Sequence, residues 1–199
     1  MAMSAFLGPI HFWMYDKIQV QEEIIRRLAA AAERNGWLTA EEAAAYINTE
    51  TRPLDELIDE SNIHGWLSAR IEQVETRYAA LATKLLTQHE DRLDTMKDIL
   101  FQFGAEKNTG TNLTAQECYK LIDSCTLDGM PCDGVNIVTD KHEDSFTWER
   151  RSDVHSMYWT KAGGKPEYYD SLRNRFVAGL LSNTSFSLLT EAGRYKLLA

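Results

Sequence analysis

The 199-residue chain has few of the residues that cross-link or stiffen a small protein, with only three cysteines and four prolines. The number of cysteines is odd. No pair among Cys118, Cys125 and Cys132 has the Cys-x-x-Cys spacing of a zinc site or a thiol redox motif. On one helix, Cys118 and Cys125 would lie about 10 Å apart, which is too far for a disulfide. We therefore interpret these two cysteines as small core residues.

Long apolar runs are also lacking. No stretch approaches the roughly 20 apolar residues that a helix needs to cross a bilayer. Residues 1–15 have neither the preceding positive charge nor the cleavage site of a secretory signal. These two features predict a cytoplasmic protein without membrane association.

Positive charge is scarce, because 21 Lys and Arg face 30 Asp and Glu, for a net charge of −9. No cluster of Lys and Arg relieves this excess, so phosphate backbones would be repelled, and nucleic acid is not an expected partner. The chain also lacks a nucleophile elbow, a phosphate-binding loop, a dinucleotide fingerprint and a zinc motif. Neither a cofactor nor an enzyme class can be assigned from motifs.

What the chain does contain is a repeated segment. Residues 10–14 (Ile-His-Phe-Trp-Met) recur about fifty positions later as residues 63–67 (Ile-His-Gly-Trp-Leu), and Glu22 aligns without gaps with Glu75. Matching His and Trp residues in register indicate a shared structural role. The apolar spacing after each copy predicts a helix with His11 or His64 at the start of an inward stripe. Each Trp precedes a cation by four residues, so each indole is expected to carry that cation over its face.

Three roles are open for His11 and His64. Each could be a hydrogen-bonded core residue, could line a non-metal ligand pocket, or could bind a metal together with Glu22 or Glu75. Each Glu lies roughly 16 Å along the helix from its own His, so one helix cannot bring the two to one metal. Antiparallel helices would pair His11 with Glu75 and His64 with Glu22. Parallel helices would instead bring the two His to the same end.

A second candidate site combines Cys132, Asp133 and His155. Cys132 and Asp133 lie between two glycines where a helix gives way to a strand, and His155 lies on or beside the neighbouring strand. A thiolate needs a nearby imidazolium or metal to form near neutral pH, so Cys132 with His155, oriented by Asp133 or Asp153, has the residue types of a nucleophilic site. The alternatives are that Cys132 and His155 pack in the interior or contact a ligand.

Periodicity and turn residues predict the order of elements. Helices are expected over about residues 9–34, 39–47, 53–86 with an interruption near 62–65, 90–103, 114–128 and 166–183, with capping boxes at Thr39 and Thr114. Alternation over 135–150 predicts a hairpin, and we favour a further strand over a short helix for 152–160. Residues 186–197 fit either a final hairpin or a short helix. The best boundary is residues 104–112.

The chain is therefore predicted to be an α+β protein. A helical bundle of residues 1–105 is followed by a smaller part, residues 106–199, which has a short antiparallel sheet and helices and packs against the bundle.

The favoured function is binding of a small ligand or metal in an apolar and aromatic pocket near the repeated segments. Its lining would include His11, Trp13, His64, Trp66 and Trp159, and its border would include Cys132 and His155. One alternative is a thiol- or His-dependent hydrolase or transferase acting on a small substrate. Another is an interaction module, such as a homodimer with Trp13 and Trp66 at its interface.

Overall fold

The computed structural model describes residues 6–108 and 110–199, and it confirms an α+β fold with a helical N-terminal part. The helices are α1 Pro9–Arg34, α2 Ala40–Ala44, α3 Ile63–Leu86, α4 Arg92–Lys107, α5 Ala115–Cys125, α6 Ser156–Lys161 and α7 Pro166–Leu180. The strands are β1 Asn136–Lys141, β2 Ser145–Arg150, β3 Ser187–Glu191 and β4 Arg194–Leu198. Among the helices of these residues, none is both long enough and apolar enough to span a membrane.

The predicted capping boxes open α2 and α5. Thr39 accepts a hydrogen bond from the backbone N–H of Glu42, and the Glu42 carboxylate accepts one from the backbone of Thr39. Thr114 and Glu117 make the same reciprocal pair. Because the first N–H groups of a helix have no partner within it, these contacts determine where the two helices begin.

The two helices that carry the repeated segment, α1 and α3, run parallel and side by side. The rings of His11 and His64 meet edge to face at 5.8 Å between centroids, near the start of both helices. Farther along, Glu22 of α1 pairs with Arg77 of α3. Contacts that advance in the same direction on both helices require parallel packing, so the antiparallel pairing of His11 with Glu75 and of His64 with Glu22 is wrong.

The four strands form one antiparallel sheet in the order β1-β2-β4-β3. The predicted hairpin is β1 and β2, and the tail forms the hairpin β3 and β4. One face of the sheet is buried through Phe146, Trp148, Tyr195 and Leu197, and the Tyr119 ring of α5 stacks on Phe146 at 4.4 Å. The sheet therefore packs its apolar face against the helices.

The strand favoured for residues 152–160 is wrong, because this segment contains α6. Asp153 accepts hydrogen bonds from the backbone N–H groups of His155 and Ser156, both at 2.9 Å, and so caps the helix. His155 and Trp159, four residues apart, share the buried face. Over so short a segment, the same sequence also fits the period of a strand. The hydrogen bonds of Asp153 are the local feature that favours the helix.

Helices α4 and α7 cross with their backbones in contact at Gly104 and Gly179. A Cβ added at Gly104 would lie 2.2 Å from the carbonyl oxygen of Phe176, and one at Gly179 would lie 2.1 Å from that of Phe101. Gly104 is therefore an interior residue of α4 and not the start of a linker. Both predicted parts contribute to one apolar core. The division at residue 105 stays a prediction.

Substitution at this crossing is expected to destabilise the protein. Gly104→Ala or Gly179→Ala should lower the free energy of unfolding by about 1–3 kcal/mol, because a backbone neighbour cannot move aside and overpacking outweighs the better helix propensity of Ala. Urea denaturation measures the change. The control is Gly8→Ala, where an added Cβ meets nothing within 4 Å. An equal effect in all three variants would contradict close packing at the crossing.

Candidate functional site

Charged and aromatic side chains are concentrated between α3, the sheet and α7. We call the following group the His155 cluster: Glu75, Asp128, Arg150, His155, Tyr169 and Arg173. Its Glu75, Asp128, His155 and Arg173 are 1–7% exposed, and the Arg150 side chain is 10% exposed. Because buried ions are costly unless they are paired, this group is the strongest candidate for a functional site in the described chain.

His155 lies at the centre of the cluster, between two carboxylates. Its Nε2 is 3.3 Å from Asp128 Oδ1 in a hydrogen bond, and its Nδ1 is 3.3 Å from Glu75 Oε1 in an ion pair without hydrogen-bond alignment. The imidazole also stacks on the Tyr169 ring at 3.8 Å between centroids. The ring is therefore held on three sides by residues from α3, the segment after α5, and α7.

These contacts keep His155 charged. Burial alone would lower the pKa of His155, but the charge of Glu75 and the hydrogen bond and charge of Asp128 outweigh it and raise the pKa to about 9. At neutral pH the ring is an imidazolium whose two N–H groups face carboxylates. It acts as a fixed cation there and not as a general base.

Asp128 connects the histidine to two arginines. Besides His155, its carboxylate accepts a 2.8 Å hydrogen bond from Asn136 Nδ2, lies 3.4 Å from Arg173 Nη2, and lies 3.5 Å from Arg150 Nη2. Burial opposes ionisation, but Arg173, His155 and Arg150 together hold the pKa of Asp128 well below its usual range. The carboxylate is ionised throughout the neutral range.

The two guanidinium groups retain unused hydrogen-bond donors. Arg150 at the end of β2 and Arg173 on α7 lie over the Tyr195 ring, at 5.3 and 5.1 Å from its centroid. Within the described residues, Nε and Nη2 of Arg150 and Nε and Nη1 of Arg173 have no hydrogen-bond acceptor. With the Tyr169 phenol neutral, the cluster itself has three cations and two carboxylates, and its one excess positive charge is met by the exposed Asp170.

A surface cleft of about 410 Å³ opens above Arg150. Its walls include Arg151, Asp153, Asp170 and Tyr195. Arg150 Nη1 reaches Asp170 Oδ1 at 3.4 Å, and the Asp170 side chain is 57% exposed. The long contact with an exposed carboxylate leaves Arg150 able to exchange Asp170 for another anion.

The predicted catalytic group is not brought together. Cys132 is exposed on a short 3-10 turn, and its sulfur is 3.9 Å from Asp133 Oδ1. Asp133 accepts a hydrogen bond from the backbone of Met130 and does not contact His155. Because both ring nitrogens of His155 face Glu75 and Asp128, the imidazole is not available to ionise Cys132.

Of the predicted metal residues, His11 and His64 meet each other, whereas Glu22 and Glu75 pair with other residues. His11 is buried and accepts a hydrogen bond from Gly8 N–H at Nδ1, whereas His64 is half-buried. Glu22 pairs with Arg77, and Glu75 pairs with His155. Across residues 6–108 and 110–199 there is no group of three or more His, Cys, Asp or Glu that could hold a metal ion.

The three tryptophans predicted to bind ligand have different surroundings. Trp13 and Trp66 carry Lys17 and Arg70 over their rings at 4.2 and 4.8 Å, which confirms the expected cation–π pairs. Trp159 is fully buried beside the His155 cluster, with its ring 6.2 Å from that of Tyr169. About three turns of α3, roughly 16 Å, separate His64 from Glu75. His64 and Glu75 therefore belong to different turns of α3, and the shared ligand pocket stays a prediction.

Sequence reasoning missed Asp128, Arg150 and Arg173, although two of them carried a signal. Arg150 follows Phe146 and Trp148 at the inward period of two on β2, and Arg173 lies between Tyr169 and Phe176 on the apolar face of α7. A charged residue at an inward position predicts a buried ion that needs a partner. Asp128 had no such signal, because it lies outside regular structure.

No protein-family model, curated protein or solved structure matches the chain.

The raised pKa of His155 predicts a specific pH dependence of stability. An ordinary His has a pKa of 6.5, and that of folded His155 is about 9, so the protonated ring stabilises the fold fully below pH 6.5 and this contribution is lost as pH rises through 9. We expect the free energy of unfolding to fall by roughly 3 kcal/mol over that window, measured by urea denaturation. The variant His142→Gln, whose His is exposed, should retain the fall. A free energy of unfolding that does not change over this pH range would contradict the raised pKa of His155.

Asp128→Asn should destabilise the fold strongly. The substitution leaves His155, Arg150 and Arg173 without their shared carboxylate, and breaking a buried ion pair costs about 3–5 kcal/mol. It should also lower the pKa of His155, which NMR titration of the imidazole measures. The control Asp94→Asn changes an 89% exposed side chain that pairs with Lys97, and little change is expected. Similar stability of the two variants would mean that Asp128 does not hold the cluster together.

Proposed function

We propose that this protein binds a small molecule bearing an oxyanion, a carboxylate or a phosphate, in the cleft over Arg150. The observation that carries the proposal is the position of Arg150 Nη1, which lies at this cleft and meets the exposed Asp170 at 3.4 Å, in a cluster with one excess positive charge. An incoming oxyanion would replace this long contact with a charge-assisted hydrogen bond.

Arg150 supplies the geometry for this recognition. A guanidinium holds five N–H groups in a fixed plane, so one side can face Asp128 while the other donates to an oxyanion in the cleft. Arg150 Nη1 is at the cleft side, where it contacts Asp170, and Nη2 faces Asp128. We infer that the ligand replaces Asp170 and that Asp128 holds the other side of the fork in place.

The rest of the cluster explains why one site can attract anions in a chain of net charge −9. The imidazolium of His155 neutralises part of the charge on Asp128, and Arg173 adds a second guanidinium over the Tyr195 ring. In a poorly solvated environment these charges act more strongly than on the surface. The protonated ring therefore supports binding, and we assign it no acid–base chemistry.

This proposal keeps the predicted class of function, binding of a small ligand in a His-containing region, and moves it from the repeated segments to the end of β2. A thiol enzyme would need Cys132 to meet a base, and the contacts of His155 do not favour that. The cytoplasmic location and the lack of nucleic-acid binding stay predictions.

Titration with inorganic phosphate and with acetate tests the proposal. Binding is monitored by NMR, through the signals of the Arg150 Nε–H and the Tyr195 amide. Saturable shifts are expected at both positions. Asp170→Asn should tighten binding about threefold to tenfold, because it removes the carboxylate that competes for Arg150. The matched control is Asp98→Asn, since Asp98 is also exposed and also 3.4 Å from an arginine, Arg175.

Arg150→Lys separates recognition by the guanidinium from simple attraction to charge. The variant keeps the positive charge and loses the paired N–H groups, so weaker binding is expected with the fold retained. The proposal fails if the probes produce no saturable shift at Arg150, or if Asp170→Asn and Asp98→Asn change the affinity equally.

A further inference from the structure

The two Trp–cation pairs of the repeated segment have unequal partners. In the first copy, Trp13 Nε1 donates a 3.2 Å hydrogen bond to Ser124 Oγ, and Lys17 Nζ lies 3.3 Å from Asp123 Oδ1. Both acceptors belong to the last turn of α5. This pair therefore holds α5 against α1 through a hydroxyl and a carboxylate that are adjacent in sequence.

In the second copy the Trp66 ring contacts the Tyr15 ring of α1, at 6.0 Å between centroids, and among the described residues no helix supplies the acceptors that α5 supplies to the first copy. Arg70 lies over the Trp66 ring at 4.8 Å and donates to Gln73 Oε1 at 2.9 Å. Throughout residues 6–108 and 110–199, no acceptor pairs with Trp66 Nε1 and no carboxylate pairs with Arg70. Both side chains are half-buried, so each retains an accessible part.

A groove of about 660 Å³ adjoins this second pair along α3. Arg70, Arg77 and Lys161 line it with a single carboxylate, Glu72, and Ile47 adds apolar surface. Arg77 is already paired with Glu22 of α1. Arg70 and Lys161 are thus the cations that can attract an acidic partner, on a protein whose net charge is −9.

The parallel packing of α1 and α3 relates the two environments. Because His11 meets His64 and both helices run the same way, the flank of α1 that α5 covers corresponds to the flank of α3 that carries this groove. Trp66, Arg70, Gln73 and Arg77 follow one stripe of α3 at helical spacing. The stripe lies where a packed helix would contact α3. It is made of polar residues instead of core residues.

We propose that the groove along α3 is a docking surface for an acidic helix of another protein. The helix would present a carboxylate to Arg70 and a neighbouring side-chain acceptor to Trp66 Nε1, as Asp123 and Ser124 do on α5. A helix lying in a groove is a common form of peptide recognition, and here the chain itself contains an occupied copy of the contact. A second copy of this chain is a poorer occupant, because its own α5 is already in use.

The probe for this proposal is the sequence of α5 itself. A peptide of residues 114–126 would carry Cys118→Ser and Cys125→Ser, and a lactam between Gln116→Glu and Lys120 would hold it helical, since both positions are exposed in the protein. Titrated into the intact protein, it should shift the Trp66 indole N–H saturably and leave the Trp13 indole N–H unchanged. The two signals are assigned with Trp66→Phe and Trp13→Phe.

Charge exchange provides the sharper measurement. Arg70→Glu should weaken binding of the peptide at least about tenfold, and Asp123→Lys in the peptide should restore it. Arg194→Glu is the matched control, because Arg194 is 61% exposed on the distant strand β4 and should leave the affinity unchanged.

Three results would overturn the proposal. The first is the absence of a saturable Trp66 shift with the helical peptide. The second is equal affinity for a peptide carrying Asp123→Asn and Ser124→Ala. The third is binding of a single-stranded DNA 12-mer or of phosphatidylglycerol vesicles at Trp66 with an affinity equal to that of the peptide, which would indicate general attraction of anions.

Discussion

The carboxylate of Asp128 is the constraint on which much of this structure depends. It is buried, and it contacts His155 before α6, Arg150 at the end of β2, Arg173 on α7 and Asn136 on β1. Removing this carboxylate would leave the buried Arg173 without its ion-pair partner in a poorly solvated interior, where a charge is several kcal/mol less stable than in water. The sheet and two helices are therefore tied to one another by charge as well as by apolar contact.

A network of this kind is seldom the most stable way to fill an interior. Replacing buried ions with well-packed apolar residues is often neutral or stabilising, so stability alone does not account for them. Here Arg150 reaches a cleft, where its Nη1 meets the exposed Asp170, and His155 remains protonated behind it. That arrangement suits the recognition of an anion better than it suits proton transfer.

Much of the fold was predictable from the sequence, and most of the site was not. The capping residues Thr39 and Thr114, the long helices α1 and α3, and the alternation of β1 and β2 are local signals, so they could be found without tertiary information. The parallel direction of α1 and α3 depends on how the intervening segment crosses between them. The partners of His155 come from positions 75 and 128, and such distant pairings leave no periodic trace. The segment 152–160 fits the period of a strand as well as that of a helix, and only the Asp153 cap distinguishes the two.

The glycine crossing of α4 and α7 has a consequence for how the molecule opens. Because α7 carries Tyr169, Asp170 and Arg173, and because its backbone touches α4 directly at Gly179, neither helix can separate without exposing the other. Amide protons of residues 92–107 and 166–180 should then exchange with solvent as one cooperative unit, although they are far apart in the chain. The amide protons at the floor of the cleft would then exchange slowly with solvent. A ligand would enter through the exposed rim of the cleft.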